Sequence, residues 1–130
     1  MFIAKRRAKA IETFALADEE GNIIKKYDVD CDPETRLIEY TRAKNRVIRA
    51  EQVIAQEPSE DSYEAYGQAV LDMMGVFFGA ESTQEILDFF DGRYAEMLLA
   101  VLPFVRDVLE PKMREISDKQ MQEARKRRDK

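Results

Sequence analysis

The chain contains no histidine and no tryptophan, and only one cysteine, four prolines and five glycines in 130 residues. Without histidine there is no His-dependent triad, no His general base and no His-ligated zinc or haem. Chemistry would fall to carboxylates, Lys, Tyr, Ser/Thr and one thiol. That thiol, Cys31, cannot close an intramolecular disulfide, and no CxxC pair suggests zinc binding or thiol exchange, so a reducing compartment is expected. Long apolar runs are missing too. The longest nearly uninterrupted one, Met97 to Val105, is far short of the ~20 residues of a membrane helix, and MFIAKRRAKA carries no apolar stretch after its basic residues. No GxGxxG, Walker loop, GxSxG or SxxK occurs. These absences predict a cytoplasmic protein, no cofactor, no metal, no membrane contact and no enzymatic activity.

What is present is enough to fold. Hydrophobic residues make up 45% and charged residues 36%, a balance that supports one globular domain over residues 1–130. The net charge of −5 hides an uneven distribution. Lys5, Arg6, Arg7 and Lys9 give residues 1–10 a charge of +4, residues 112–130 carry another +4, and the intervening 11–111 hold −13. An acidic body thus has a basic N-terminal arm and a basic C-terminal helix or tail. Such ends can hold phosphate or an acidic partner, or simply be solvated.

Residues 11–30 read as a β-hairpin. Phe14 and Leu16 alternate with small residues on one arm, and Ile23, Tyr27 and Val29 share a face on the other. Glu20-Gly21-Asn22 supplies the turn. Two strands alone are marginal, so the hairpin must pack on helices or on another copy. Asp32-Pro33 opens a long helix that Pro58 stops, with a thin stripe of Leu37, Tyr40, Val47 and Ile54 flanked by Ile38 and Ile48. Ser59-Glu60-Asp61 starts a second helix whose face is Tyr63, Tyr66, Val70, Met73, Met74 and Phe77, ending at Phe78-Gly79. Ser82 and Glu85 have the spacing of a capping box for a short third helix that stops at Asp91-Gly92. A last helix begins near Arg93, with Tyr94, Met97, Leu98, Val101, Leu102, Val105, Val108 and Leu109 facing inward. Pro103 should kink it and Pro111 end or restart it. The fold class is therefore mainly α (α+β): a hairpin at 11–30, then a helical body at 31–111 forming a bundle of about four helices, with 112–130 partly frayed.

Two constellations invite a functional reading. Asp28, Asp30, Asp32 and Glu39 have the ligand spacing of a calcium loop, but Pro33 stands where the sharp turn needs glycine. Strand-face and helix-capping roles account for the same carboxylates. The second is aromatic. Tyr63, Tyr66, Phe77, Phe78, Phe89, Phe90, Tyr94 and Phe104 crowd into residues 63–104. Neighbours on a helix lie ~100° apart, so Phe77-Phe78 and Phe89-Phe90 cannot both point inward from one stripe. One member of each pair is expected to be free for a partner or another copy. Phe77, Phe78, Phe89, Phe90, Tyr94 and Phe104 are the candidate partner-binding residues.

The order of features, ADEEGNIIKKYDVD, a charged long helix, an acid-capped helix closing on VFFGAES, a short helix and a last one through LLAVLPFVRDVLEP, resembles the small tail assembly chaperones of long-tailed bacteriophages and prophages. The similarity spans about residues 11–111, most clearly at Phe78-Gly79 and Pro103-Phe104. It implies a non-enzymatic protein of the bacterial host cytoplasm that binds the tape measure protein, helps recruit the major tail protein of the tube, and is absent from the finished virion. Such chaperones often self-associate, so a homo-oligomer is possible, and some have a longer frameshifted form. The alternative is a small helical nucleic-acid-associated regulator using its basic ends.

Overall fold

Alternating apolar positions build an antiparallel pair, β1 (Ile11–Ala17) and β2 (Ile23–Asp30), in register from Ile11 opposite Asp30, with an irregularity at Leu16/Ala17. The computed structural model describes residues 1–130. Asp18 organises the turn: one carboxylate oxygen accepts from the backbone N–H groups of Glu20 and Asn22, and Gly21 takes φ +87°. Phe14, Leu16, Tyr27 and Val29 face inward, whereas Ile23 lies exposed beyond the edge of the core.

α1 (Pro33–Gln56) begins where Asp32 accepts from the Glu34 N–H, with Pro33 at the first helical position. Its buried seam is Tyr40, Ala43 and Val47, continued by the half-buried Ala50 and Ile54, at the alternating three- and four-residue spacing of two packed helices. Ala43 and Ala50 carry this seam as much as the bulky residues do. Ile38 and Ile48 are exposed, contrary to the expectation that they flank it.

α2 (Glu60–Phe89) is capped by a reciprocal pair: Ser59 accepts from the Ser62 N–H, and the Ser62 hydroxyl from the Ser59 N–H. Val70, Met73, Met74 and Phe77 are buried as expected, but Tyr63 is exposed. The break expected at Phe78-Gly79 is a bend inside α2, with Gly79 at φ 78°, ψ 167°. Helical backbone resumes directly after it, and the Thr83 hydroxyl donates to the Gly79 carbonyl at 2.6 Å. Ser82 and Glu85 therefore form no capping box. Ser82 lies within the helix, and Glu85 reaches across to β2.

α3 (Tyr94–Phe104) passes through one π-helical turn, Val105–Leu109, into α4 (Glu110–Arg128) without a break. The molecule is thus mainly α with an N-terminal hairpin, but it has three helical rods rather than about four. Pro103 and Pro111 interrupt single hydrogen bonds without stopping the third rod, which runs helical through Arg128 instead of fraying after Lys112. Met97, Val101, Val105, Leu109 and Met113 are completely buried along it, while Val108 is turned out.

The three rods and hairpin share one core, yet they leave much surface open. Accessible area is 9434 Å², against about 7,100 Å² expected for a compact monomer of this mass.

Candidate partner-binding surface

The six aromatic candidates separate into two groups. Phe77 is buried, its ring 5.3 Å from Tyr40 of α1. Phe78 is not spare: it packs 5.7 Å from Phe14, 6.0 Å from Tyr27 and 6.4 Å from Phe104, and Phe104 lies 5.4 Å from Phe14. This cluster is what holds the hairpin's inner face on α2 and α3. Sequence reasoning treated the hairpin and the Phe pair separately, so it missed that one consumes the other.

At the far end of α2 the second pair behaves as expected. Phe89 is 37% exposed and Phe90 half-buried, with their rings edge to face at 5.0 Å. Tyr94 is half-buried against α2 at Gly67, where a Cβ would come within 2.5 Å of its ring. Gly67 is therefore required by close approach rather than by backbone freedom. Phe89, Phe90 and Tyr94 remain the candidates with accessible ring surface at this end of the molecule.

Charge adds a second feature. No Lys or Arg occurs between Arg49 and Arg93, while ten Asp and Glu do, and α2 occupies most of that stretch. The bend at Gly79 opens an elbow on this acidic rod, a groove of about 390 Å³ lined by Leu71, Asp72, Gly75, Ala80, Thr83 and polar neighbours. The basic N-terminal arm meets α4 elsewhere. Arg7 pairs with Glu123, and Arg6, Arg7 and Lys9 line one cavity with Ile116 and Gln120 of α4. Asp30, Asp32 and Glu34 line the same cavity, so the arm's cations face carboxylates there, while α2 stays free of lysine and arginine. The lysine- and arginine-free stretch and the Gly75/Gly79 pair were the signals in the sequence.

Several other titratable groups serve the fold. Glu85 accepts from Lys25 at 2.7 Å and from the Tyr27 hydroxyl at 3.0 Å, fastening β2 to α2, and these bonds hold its carboxyl below the usual range. Asp28 accepts from the Thr13 hydroxyl at 2.7 Å, Asp30 from the Asp32 N–H, and Asp32 caps α1, so the three aspartates of the would-be calcium loop have local roles. Glu39 is exposed on α1, and no cluster of three potential metal ligands forms. Burial pushes the Cys31 thiol up, away from reactivity. Of the buried Ser and Thr residues, Ser62 bonds at the start of α2 and Thr83 bonds across the bend at Gly79.

Two tyrosines give the fold a pH dependence. Burial, with Glu85 beside it, pushes Tyr27 up to about 12, and burial with Glu110 does the same for Tyr40. An unfolded tyrosine ionises near ~10. The folded state holds these protons longer, so their contribution is whole below pH ~10 and is lost as pH rises towards 12. Thermal melts should therefore fall across that window, and Tyr40→Phe should flatten the fall relative to wild type. An unchanged slope in the variant would remove Tyr40 from this account.

No helix is long and apolar enough to cross a membrane. Comparison with protein-family models, with curated proteins and with solved structures finds no match to this chain, so its reading rests on its own residues and geometry.

Proposed function

We propose that the chain is a non-enzymatic phage tail assembly chaperone that binds the tape measure protein and helps recruit major tail protein subunits. The observation that carries this reading is a surface far larger than a compact monomer needs, on a body in which no buried side-chain N or O atom lacks a hydrogen-bond partner. Such a molecule is suited to covering another chain rather than to converting a small substrate. Phe89, Phe90 and Tyr94 offer the aromatic contact, and Phe77, Phe78 and Phe104 support it from within the fold. Helical partners with apolar stripes are the class such a surface accommodates.

Co-expression with a tape measure protein should keep that partner soluble and yield a complex. Phe89→Ala should weaken the complex by about 1–3 kcal/mol while changing the melting of the free protein little. Retention of neither tape measure nor tail tube protein would remove the chaperone reading. The runner-up, a nucleic-acid-associated regulator, is favoured by one observation, the net charge of +4 carried by each of residues 1–10 and 112–130. It requires DNA binding that falls steeply with salt.

A further inference from the structure

We propose that the outward face of α1 is a second docking surface, for an acidic amphipathic helix of another protein. α1 turns Tyr40, Ala43 and Val47 into the core. Away from that seam, Ile38, Arg42, Asn45, Arg49 and Val53 are all exposed. At ~100° per residue they fall within about 80° of one another, so they form one strip. Ile38 is 57% and Val53 50% accessible, and Ile48, 42% accessible, borders the strip. Residues 40–50 hold Arg42, Lys44, Arg46 and Arg49 and no Asp or Glu, although the stretch 11–111 as a whole carries −13. Arg42, Arg46 and Arg49 pair with no carboxylate of the chain. The acids nearest to them along α1 are Glu39, in its second turn, and Glu51, whose charge acts on Tyr66 of α2. Glu34, in the first turn, lines the cavity under the arm.

Beside Ile38 the strip opens into a groove of about 320 Å³ between α1 and α4, lined by Leu37, Ile38, Thr41, Arg42 and Arg114. Arg114 is held by Glu110, which also accepts from the Tyr40 hydroxyl. The groove thus sets aliphatic side chains between two guanidiniums, and that of Arg42 has no partner within the chain. A guanidinium fork matches a carboxylate in a bidentate pair. The complement is an apolar stripe flanked by Asp or Glu. Repeated over the ~22 Å from Ile38 to Val53, it is a helix of about four turns. A phosphate backbone would meet the arginines but leave Ile38, Ile48 and Val53 uncovered, and the strip has no aromatic ring on which a base could stack. None of Phe89, Phe90 and Tyr94 belongs to α1, so this surface does not rest on the chaperone reading.

Fluorescence anisotropy of labelled helical peptides of about four turns, titrated with the full chain, tests this. The peptides share one stripe of leucines and differ only in the residues flanking it, Glu, Gln or Lys. At about 50 mM salt the Glu peptide should bind about tenfold more tightly than the Gln peptide, and the Lys peptide should not bind. At about 500 mM salt, where exposed charges are screened, the preference should vanish. Arg42→Glu/Arg49→Glu should weaken the Glu peptide by about tenfold or more, and Ile38→Gln/Val53→Gln, which leaves every charge in place, by about threefold or more. All four residues are exposed, so melting should be unchanged. Arg125→Glu/Lys126→Glu makes the same change of net charge at the end of α4 and should leave binding as it is, as should Phe89→Ala. Peptides that bind alike whatever their flanks, no binding at low salt, or a loss in the α4 or Phe89 variants equal to that in the α1 variants overturns the proposal. Retention of a short DNA duplex that disappears in Arg42→Glu/Arg49→Glu overturns it in favour of a phosphate backbone. A mass above 15.1 kDa for the chain alone that the same variant abolishes overturns it in favour of a second copy. Capture of the tape measure protein is read separately by co-expression, so either reading can fail without the other.

Discussion

Leu109→Ala should destabilise the protein by about 2–5 kcal/mol, whereas Val108→Ala, one residue earlier, should change it by no more than about 0.5 kcal/mol. Urea unfolding of both variants at neutral pH reads the difference. The contrast follows from the π turn. Met97, Val101, Val105, Leu109 and Met113 are spaced four apart and all are completely buried. On an uninterrupted α-helix, residues four apart drift ~40° per step, so the first and last of these would stand about 160° apart and could not share one core. A π turn holds roughly 4.4 residues, so four residues fall short of a full turn and the drift reverses there. The stripe then spans about 90°, a face that one core can cover. The same turn brings Leu109 in and rotates Val108 out to 37% exposure. On a plain α-helix Val108 would be the inward residue. A larger cost at Val108 than at Leu109 would show that the rod is regular and the π turn absent.

That reversal also shows where the sequence was readable and where it was not. Local chemistry marked the ends of elements well. Asp32-Pro33, Ser59 and Asp91-Gly92 each act at a helix end because a cap is decided by the few residues around it. The hairpin followed from alternation over 11–30, although its turn depends on Asp18, whose role needs the fold of the loop to be seen. Continuity was harder. Pro103 and Pro111 each read as a break, yet a helix packed along its length tolerates the loss of single hydrogen bonds, and three rods result. The four-residue spacing from Met97 to Met113 was the available signal for the π turn, but a 3.6-residue template assigns Val108 to the face instead. Ala43 and Ala50 were passed over because size was taken as the mark of a seam, whereas close helix contact favours small side chains. On the candidate surface, adjacency of Phe77 and Phe78 was correctly taken to mean that they face apart. Which surface receives the outward ring is a tertiary fact, and the hairpin takes it.

Gly79→Ala should cost about 1–3 kcal/mol, and the loss should come from the backbone alone. At φ 78°, ψ 167° this residue occupies a region essentially reserved for glycine, while a Cβ placed there would touch nothing within 4 Å. Steric overlap with neighbours therefore contributes nothing, and relief is available only by straightening α2. Straightening would carry Ile86 and Leu87 out of the core and separate Glu85 from Lys25 and Tyr27. Gly75 supplies the control, since it also has free space around a Cβ but sits in ordinary helix. Gly75→Ala should stabilise by about 0.5–1 kcal/mol through helix propensity. Opposite signs in thermal and urea melts of two glycines four residues apart would isolate the bend as a conformational requirement. A neutral or stabilising Gly79→Ala would mean that α2 runs straight, and the groove at its bend would then not exist.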